Sequence, residues 1–136
     1  MRTYRPRVAH ARHSLQITLF SFGFKHGCPQ ADMLLDVRFL PNPYWVPELT
    51  AHSGRDPRVA LYVLGNASGR QFLEHLEPFL VFFCQEHAAR ERERVTLAIG
   101  CTGGKHRSVA VVEHLWRLLQ EKSFPVESFH RDLDKE

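Results

Sequence analysis

Residues 95–108 read VTLAIGCTGGKHRS, a short apolar run that ends in a glycine-rich, cationic turn. Beyond it, Val109, Val112, Leu115, Trp116 and Leu119 recur at helical spacing. A strand that passes through paired glycines directly into a helix is the junction from which α/β domains are built. In open α/β sheets, that junction is also where ligands bind.

The rest of the chain is consistent with this junction. Residues 15–20, LQITLF, alternate and are rich in strand formers, and the glycine-punctuated loop SFGFKHG follows. MLLDVRFL, residues 33–40, is expected to be a second strand, with Leu35, Val37 and Phe39 on one face and Asp36 and Arg38 on the other. Three prolines between Pro41 and Pro47 predict irregular structure. Asn42 is read as fixing that turn, with Tyr44 and Trp45 capping the core. From Gly69 to about Arg90 a helical period places Phe72, Leu76, Phe79, Leu80 and Phe83 on one face, with Pro78 expected to kink or break the helix. Residues 95–99 are a strand, and VESF near the C-terminus is a last one. Strands alternating with helices predict an α/β fold: a single domain whose mostly parallel sheet is flanked by helices, with an anion-binding glycine loop at a strand-to-helix turn.

A chain of 136 residues suits one domain. Its longest apolar run, Phe79 to Cys84, is too short to cross a bilayer. The N-terminus has no apolar segment after its basic residues, so no secretory signal is read. Three cysteines without a CxxC pair predict neither a disulfide framework nor a zinc site, and a reducing cytoplasm is the expected compartment. The net charge of +3 favours an anionic partner only weakly. Arg2, Arg5, Arg7 and Arg12 make residues 1–13 a basic segment, read as a flexible arm, and the domain occupies residues 14–136.

The turn itself points to a compact oxyanion such as phosphate. Gly103 and Gly104 let the backbone approach a ligand closely. The first N–H groups of the following helix lack intrahelical partners and sit at its positive end. Arg107 adds a planar bidentate contact, Thr102 and Ser108 supply hydroxyls, His106 adds a titratable donor, and Lys105 adds a cation. A Walker A loop is excluded, because His106 follows the lysine and Ile99 stands where its first glycine should be. A rival reading uses the same residues. Cys101 and Arg107 with Ser108 form C-x-x-x-x-x-R-S, the spacing of cysteine-dependent phosphatases, in which a thiolate attacks phosphorus. This chain departs from that family at Gly100, where a histidine is usual, and no general-acid loop is recognisable. Otherwise Cys101 is a small residue packing at the strand end.

SFGFKHG, DVRFLPNP, the PEL segment with its later SG-D, IGCTGGKHRSV and HRDL together resemble the C-terminal domain of the RapZ (YvcJ) family, from about Leu15 to Leu133. Full-length members carry an N-terminal P-loop nucleotide-binding domain, and no Walker sequence is present here. The chain thus resembles the C-terminal domain standing alone, as a natural single-domain homologue or an excised piece. The resemblance implies a non-catalytic sensor or adaptor that binds an amino-sugar phosphate or a nucleotide sugar, without cofactor or metal. It carries Thr102, Gly103, Gly104, His106 and Arg107 onto the family's anion pocket. It also brings in Lys25 and His26 from the KHG loop and Asp36 and Arg38 from the DVR strand, unless Asp36 and Arg38 pair with each other. At Tyr44 some members carry a pocket-lining histidine, which leaves ligand choice open. In one branch the domain binds small RNA and presents it to a ribonuclease. Here Asp132, Asp134 and Glu136 in the closing HRDLDKE are expected to repel a nucleic-acid backbone, so RNA is the alternative partner. A protein partner and self-association stay open, and no membrane partner is expected.

Overall fold

Alternation builds the first strand. The computed structural model describes residues 15–135. In it β1 (Gln16–Gly23) turns Ile17 and Leu19 into the main core and Phe20 and Phe22 onto the opposite sheet face. β2 (Met33–Asp36), β3 (Arg94–Cys101) and β4 (Val126–His130) join it in a four-stranded, all-parallel sheet of order β2-β3-β1-β4. Three helices complete the domain: α1 (Pro57–Leu64), α2 (Ala67–Ala89) and α3 (Arg107–Glu121). All three contribute to the core cluster that Leu15, Ile17 and Leu19 anchor. The other sheet face is smaller, with Phe20, Phe22 and Ala98 covered by Phe24, Ala31 and Leu34.

β2 is shorter than the 33–40 span expected of it. Asp36 captures the Arg38 N–H at 3.0 Å and its guanidinium at 2.7 Å, and Leu40 N–H turns back onto the Val37 carbonyl, so the ladder stops. Val37 and Leu40 are buried in the core, while Phe39 points outward against Phe72. Helix α2 runs through Pro78 without a break. Pro78 and Glu74 are both exposed, so the carbonyl that loses its donor at Pro78 can be hydrated. The buried stripe of α2 is Leu76, Leu80, Cys84 and Ala88, four residues apart; Phe79 is half exposed. Helix α1 went unrecognised in the sequence. Its start is set by Asp56, whose side chain accepts the Arg58 N–H, with Pro57 at the first helical position. Asn66 then closes α1 and opens α2, donating to the Tyr62 and Val63 carbonyls and accepting from Gly69 N–H. The basic arm, residues 1–13, lies outside the described residues.

No helix among the described residues is long and apolar enough to cross a membrane.

Candidate anion-binding site

β3 ends at Cys101, paired with Gly23 at the end of β1. The chain then turns through residues 102–106 into α3. Two glycines, Gly23 at the end of β1 and Gly104 in the turn itself, let this turn sit against β1. A methyl group at Gly23 would lie 2.4 Å from the Gly103 carbonyl carbon, and one at Gly104 would lie 2.6 Å from Gly23 N. Gly104 also has φ +77, in the left-handed region that disfavours any side chain. Gly103 is different. No atom lies within 4 Å of where its Cβ would be, so its surface faces open space.

The backbone polarity of the turn is one-sided. The carbonyls of Thr102, Lys105 and His106 are occupied by the N–H groups of Lys25, Gly54 and Ala110 at 3.1, 2.9 and 3.0 Å. Among the described residues, no protein acceptor is in place for the N–H groups of Thr102, Gly103, Gly104, Lys105 or His106. These donors lie just before the positive end of the 15-residue α3. Backbone N–H groups without protein acceptors at a helix start are the donor set from which anion sites are built.

The turn forms one side of a cleft of about 860 Å³. Thr102, Gly103, Lys105, His106 and Arg107 line it from the loop, with Cys101 beside them. Lys25 reaches it from the turn after β1, Thr50 and the Asn42–Trp45 segment from the proline-rich stretch, and Lys135 from the C-terminal turn.

Arg107 is 6% exposed. Its guanidinium donates to the carbonyls of Arg38 and Leu40 at 2.7 and 3.3 Å and to Thr102 Oγ1 at 3.4 Å, while its buried Nε has no partner. It therefore ties the turn after β2 to the glycine loop and keeps one charged donor in reserve. His106 is buried, and its Nε2 donates to the Thr50 carbonyl at 3.1 Å, which puts the neutral ring's proton on Nε2. Burial, with the positive charges of Lys105 and Arg107, lowers its pKa despite the favourable backbone contact. His106 thus serves as a buried strut from the loop to the Thr50 carbonyl. Ser108 is fully buried, its hydroxyl 3.1 Å from Cys101 Sγ and its N–H 3.4 Å from the same sulfur. It holds the strand end to the helix start.

Of the residues expected at the site, Lys25, Thr102, Gly103, Lys105, His106 and Arg107 meet in the cleft. Gly104 and Ser108 shape the loop from behind. His26 stands one residue from Lys25 and does not line the cleft, and its Nε2 is buried without a partner. Asp36 and Arg38 pair with each other outside it, with the Arg38 guanidinium 4.0 Å from the Phe24 ring centre. The Arg38 hydrogen bonds hold the Asp36 carboxyl below the usual carboxylate range, in spite of some desolvation.

Five lining residues, Asn42, Tyr44, Trp45, Thr50 and Lys135, were not among those expected at the site. Tyr44 and Trp45 do not cap the core: they are 57% and 77% exposed and meet edge to face, 4.8 Å between ring centres. Asn42 fixes their turn as read, accepting the Tyr44 N–H at 3.1 Å, and also lines the cleft. Lys135 bonds Asp132 at 2.7 Å. Burial opposes ionisation of Asp132, but Arg131, the Gly23 N–H and Lys135 outweigh it and hold the carboxyl well below the usual range. Asp132 is thus a buried structural anion, and its charge does not face outward as the tail sequence suggests.

The model of the RapZ C-terminal domain matches residues 15–134. The chain belongs to the RapZ C-terminal domain family. Relatives carrying this domain include a nucleotide-binding protein of Anaeromyxobacter sp. (strain K), 51% identical over 130 residues, which cover 95% of this chain and 44% of the relative. Nucleotide-binding protein LI0459 of Lawsonia intracellularis is 52% identical over 122 residues, 89% of this chain and 38% of the relative. A nucleotide-binding protein of Limosilactobacillus fermentum is 43% identical over 124 residues, 90% of this chain and 43% of the relative. The chain spans less than half the length of these relatives, so its RapZ likeness describes one domain of theirs.

Proposed function

We propose that this domain is a cytoplasmic sensor that binds a phosphorylated small molecule, an amino-sugar phosphate or a nucleotide sugar, and relays occupancy to a regulatory partner without catalysis. The observation that carries this reading is the run of unpaired N–H groups from Thr102 to His106 at the start of α3, in a cleft that Lys25, Lys105, Lys135 and Arg107 make cationic. Anions are favoured at such helix starts by dipole and donors together. The relatives' names, nucleotide-binding proteins, agree with a phosphorylated ligand.

Calorimetric titration of the domain with inorganic phosphate and glucosamine 6-phosphate tests it. Lys105→Ala, a change at a partly exposed lining lysine, and Arg107→Ala should each weaken binding. For Arg107 the loss should be about 1.5–3 kcal/mol, the value of a charge-assisted contact. Because Arg107 also holds the carbonyls of Arg38 and Leu40, a thermal melt separates lost binding from lost structure. Absence of measurable binding by any phosphorylated probe would end this reading.

A further inference from the structure

Helix α2 carries apolar side chains on two faces, and the fold uses one of them. Leu76, Leu80, Cys84 and Ala88 enter the core. Outside that stripe, Phe79 and Phe82 are 49% and 57% exposed, on the same side as the partly covered Phe72. The exposed Phe39 meets Phe72 edge to face, 5.2 Å between ring centres. These two rings, with His75, Leu76 and Phe79, border an open groove. The outward face of a surface helix is ordinarily polar, and aromatic side chains clustered in solvent mark an interaction surface.

The spacing of this second stripe indicates what covers it. Phe72, His75, Phe79, Phe82 and Glu86 follow one another at steps of three, four, three and four. That is the repeat with which one helix packs along another, and here it spans about four turns.

The stripe is also complementary to itself. Laid antiparallel on a second copy and centred between Phe79 and Phe82, it sets Phe79 beside the partner's Phe82. The same register brings His75, an N–H donor, beside the partner's Glu86, a carboxylate. Each pairing then occurs twice, as two-fold symmetry requires. A parallel pairing would instead set histidine on histidine and glutamate on glutamate. Glu86 bonds Arg90 at 3.0 Å, and both side chains are exposed, so its carboxylate has room for a second donor. The groove shares no lining residue with the glycine-loop cleft.

We propose that α2 is the interface of a homodimer, packed antiparallel on a second copy of this chain through Phe72, His75, Phe79, Phe82 and Glu86. The surface is separate from the phosphate-binding loop and does not depend on what that loop holds.

Sedimentation of the intact chain over a range of concentrations tests this. The chain should pass from monomer to dimer, and its melting temperature should rise with concentration. Phe79→Glu and Phe82→Glu should each weaken the dimer about tenfold or more, as loss of a central aromatic anchor does. Both positions face solvent in the single chain, so these variants should keep the circular dichroism spectrum of wild type. A charge exchange fixes the register. His75→Glu opposes the partner's Glu86 with a like charge, and Glu86→Lys removes the acceptor, so each should weaken association. Combined, the two substitutions should restore it. Within one chain these positions are eleven residues apart, about 16 Å along the helix, so the rescue has to come from the second copy. A chain that stays monomeric up to about 1 mM overturns the proposal and leaves this face to a different partner. A dimer that neither phenylalanine substitution weakens, or a double variant no tighter than the single ones, overturns it as well.

Discussion

Asp132 Oδ2 accepts the Gly23 N–H at 2.7 Å, joining the C-terminal turn to the end of β1 directly behind the glycine loop. The contact is buried, and the same carboxylate takes Arg131 and Lys135. Asp132→Ala should therefore destabilise the domain by about 1–3 kcal/mol, because it leaves a buried N–H unsatisfied. The pH dependence has a definite sign. A carboxyl with a lowered folded pKa contributes stability above its ordinary value, about 3.9, and that stability is lost as pH falls through the folded value. Urea denaturation of wild type and Asp132→Asn between pH 2 and 7 should show the two curves converging only in strong acid.

The paired glycines of the loop should respond oppositely to the same substitution. Gly104→Ala forces a Cβ to 2.6 Å from Gly23 N at φ +77, so a loss of about 1–3 kcal/mol is expected. Gly103→Ala meets open space, and its stability should change by about 0.5 kcal/mol or less. Its methyl group would instead stand where an anion approaches, so phosphate affinity should fall. Thermal melts paired with titrations separate the two effects. A Gly103→Ala protein that binds phosphate as wild type does would move the ligand away from this backbone.

His106 should make the domain acid-sensitive in a second, higher window. Its folded pKa is lowered by burial and by Lys105 and Arg107, so the unfolded chain protonates first as pH drops. Stability is full above the ordinary histidine value of about 6.5 and declines as pH falls through the folded one. In His106→Gln that decline should flatten between pH 7 and the carboxylate range. An unchanged slope would mean that His106 is not the group responsible.

The three thiols should react in an order set by position. Cys28 is exposed and should take iodoacetamide first in the native protein. Cys84 is buried on α2, where desolvation pushes its pKa up to about 12, and it should react only on unfolding. Cys101 is 2% exposed with Ser108 against its sulfur, so it should lag behind Cys28. Mass mapping of the labelled peptides reads out the order. The same preparation tests catalysis: we expect no hydrolysis of an aryl phosphate, and turnover that disappears in Cys101→Ser would make the protein a phosphatase.

What could be read from the sequence was what is local. Residues 95–108 carry their own evidence, since a strand, its glycines and a helix start adjoin in the chain, and the loop half of the cleft follows from them. The aromatic half is tertiary. Tyr44 and Trp45 reach the loop because Arg107 grips the carbonyls of Arg38 and Leu40 and Val37 N–H bonds the Gly100 carbonyl at 2.9 Å, contacts across more than sixty residues. No periodicity encodes such contacts. Asp132 misled for a related reason: in HRDLDKE it is one charge among several, and only the fold shows which carboxylate is enclosed. The signal for α1 was present, in Asp56 before Pro57, but its stripe of two buried valines is too short to stand out.

Gly54 lies so close to α3 that a Cβ there would meet the His106 carbonyl oxygen at 2.3 Å and Ala110 N at 2.4 Å. Its N–H is bonded to Lys105, so the segment carrying the aromatic wall is fastened to the loop near both its ends. A recess clamped in this way should admit a ligand without a hinge motion. Association should be a single concentration-dependent phase, fast at low salt because the lysines draw anions in, and slowing as salt rises. Ligand residence, set by dissociation, would then determine how long the domain reports that a metabolite is present.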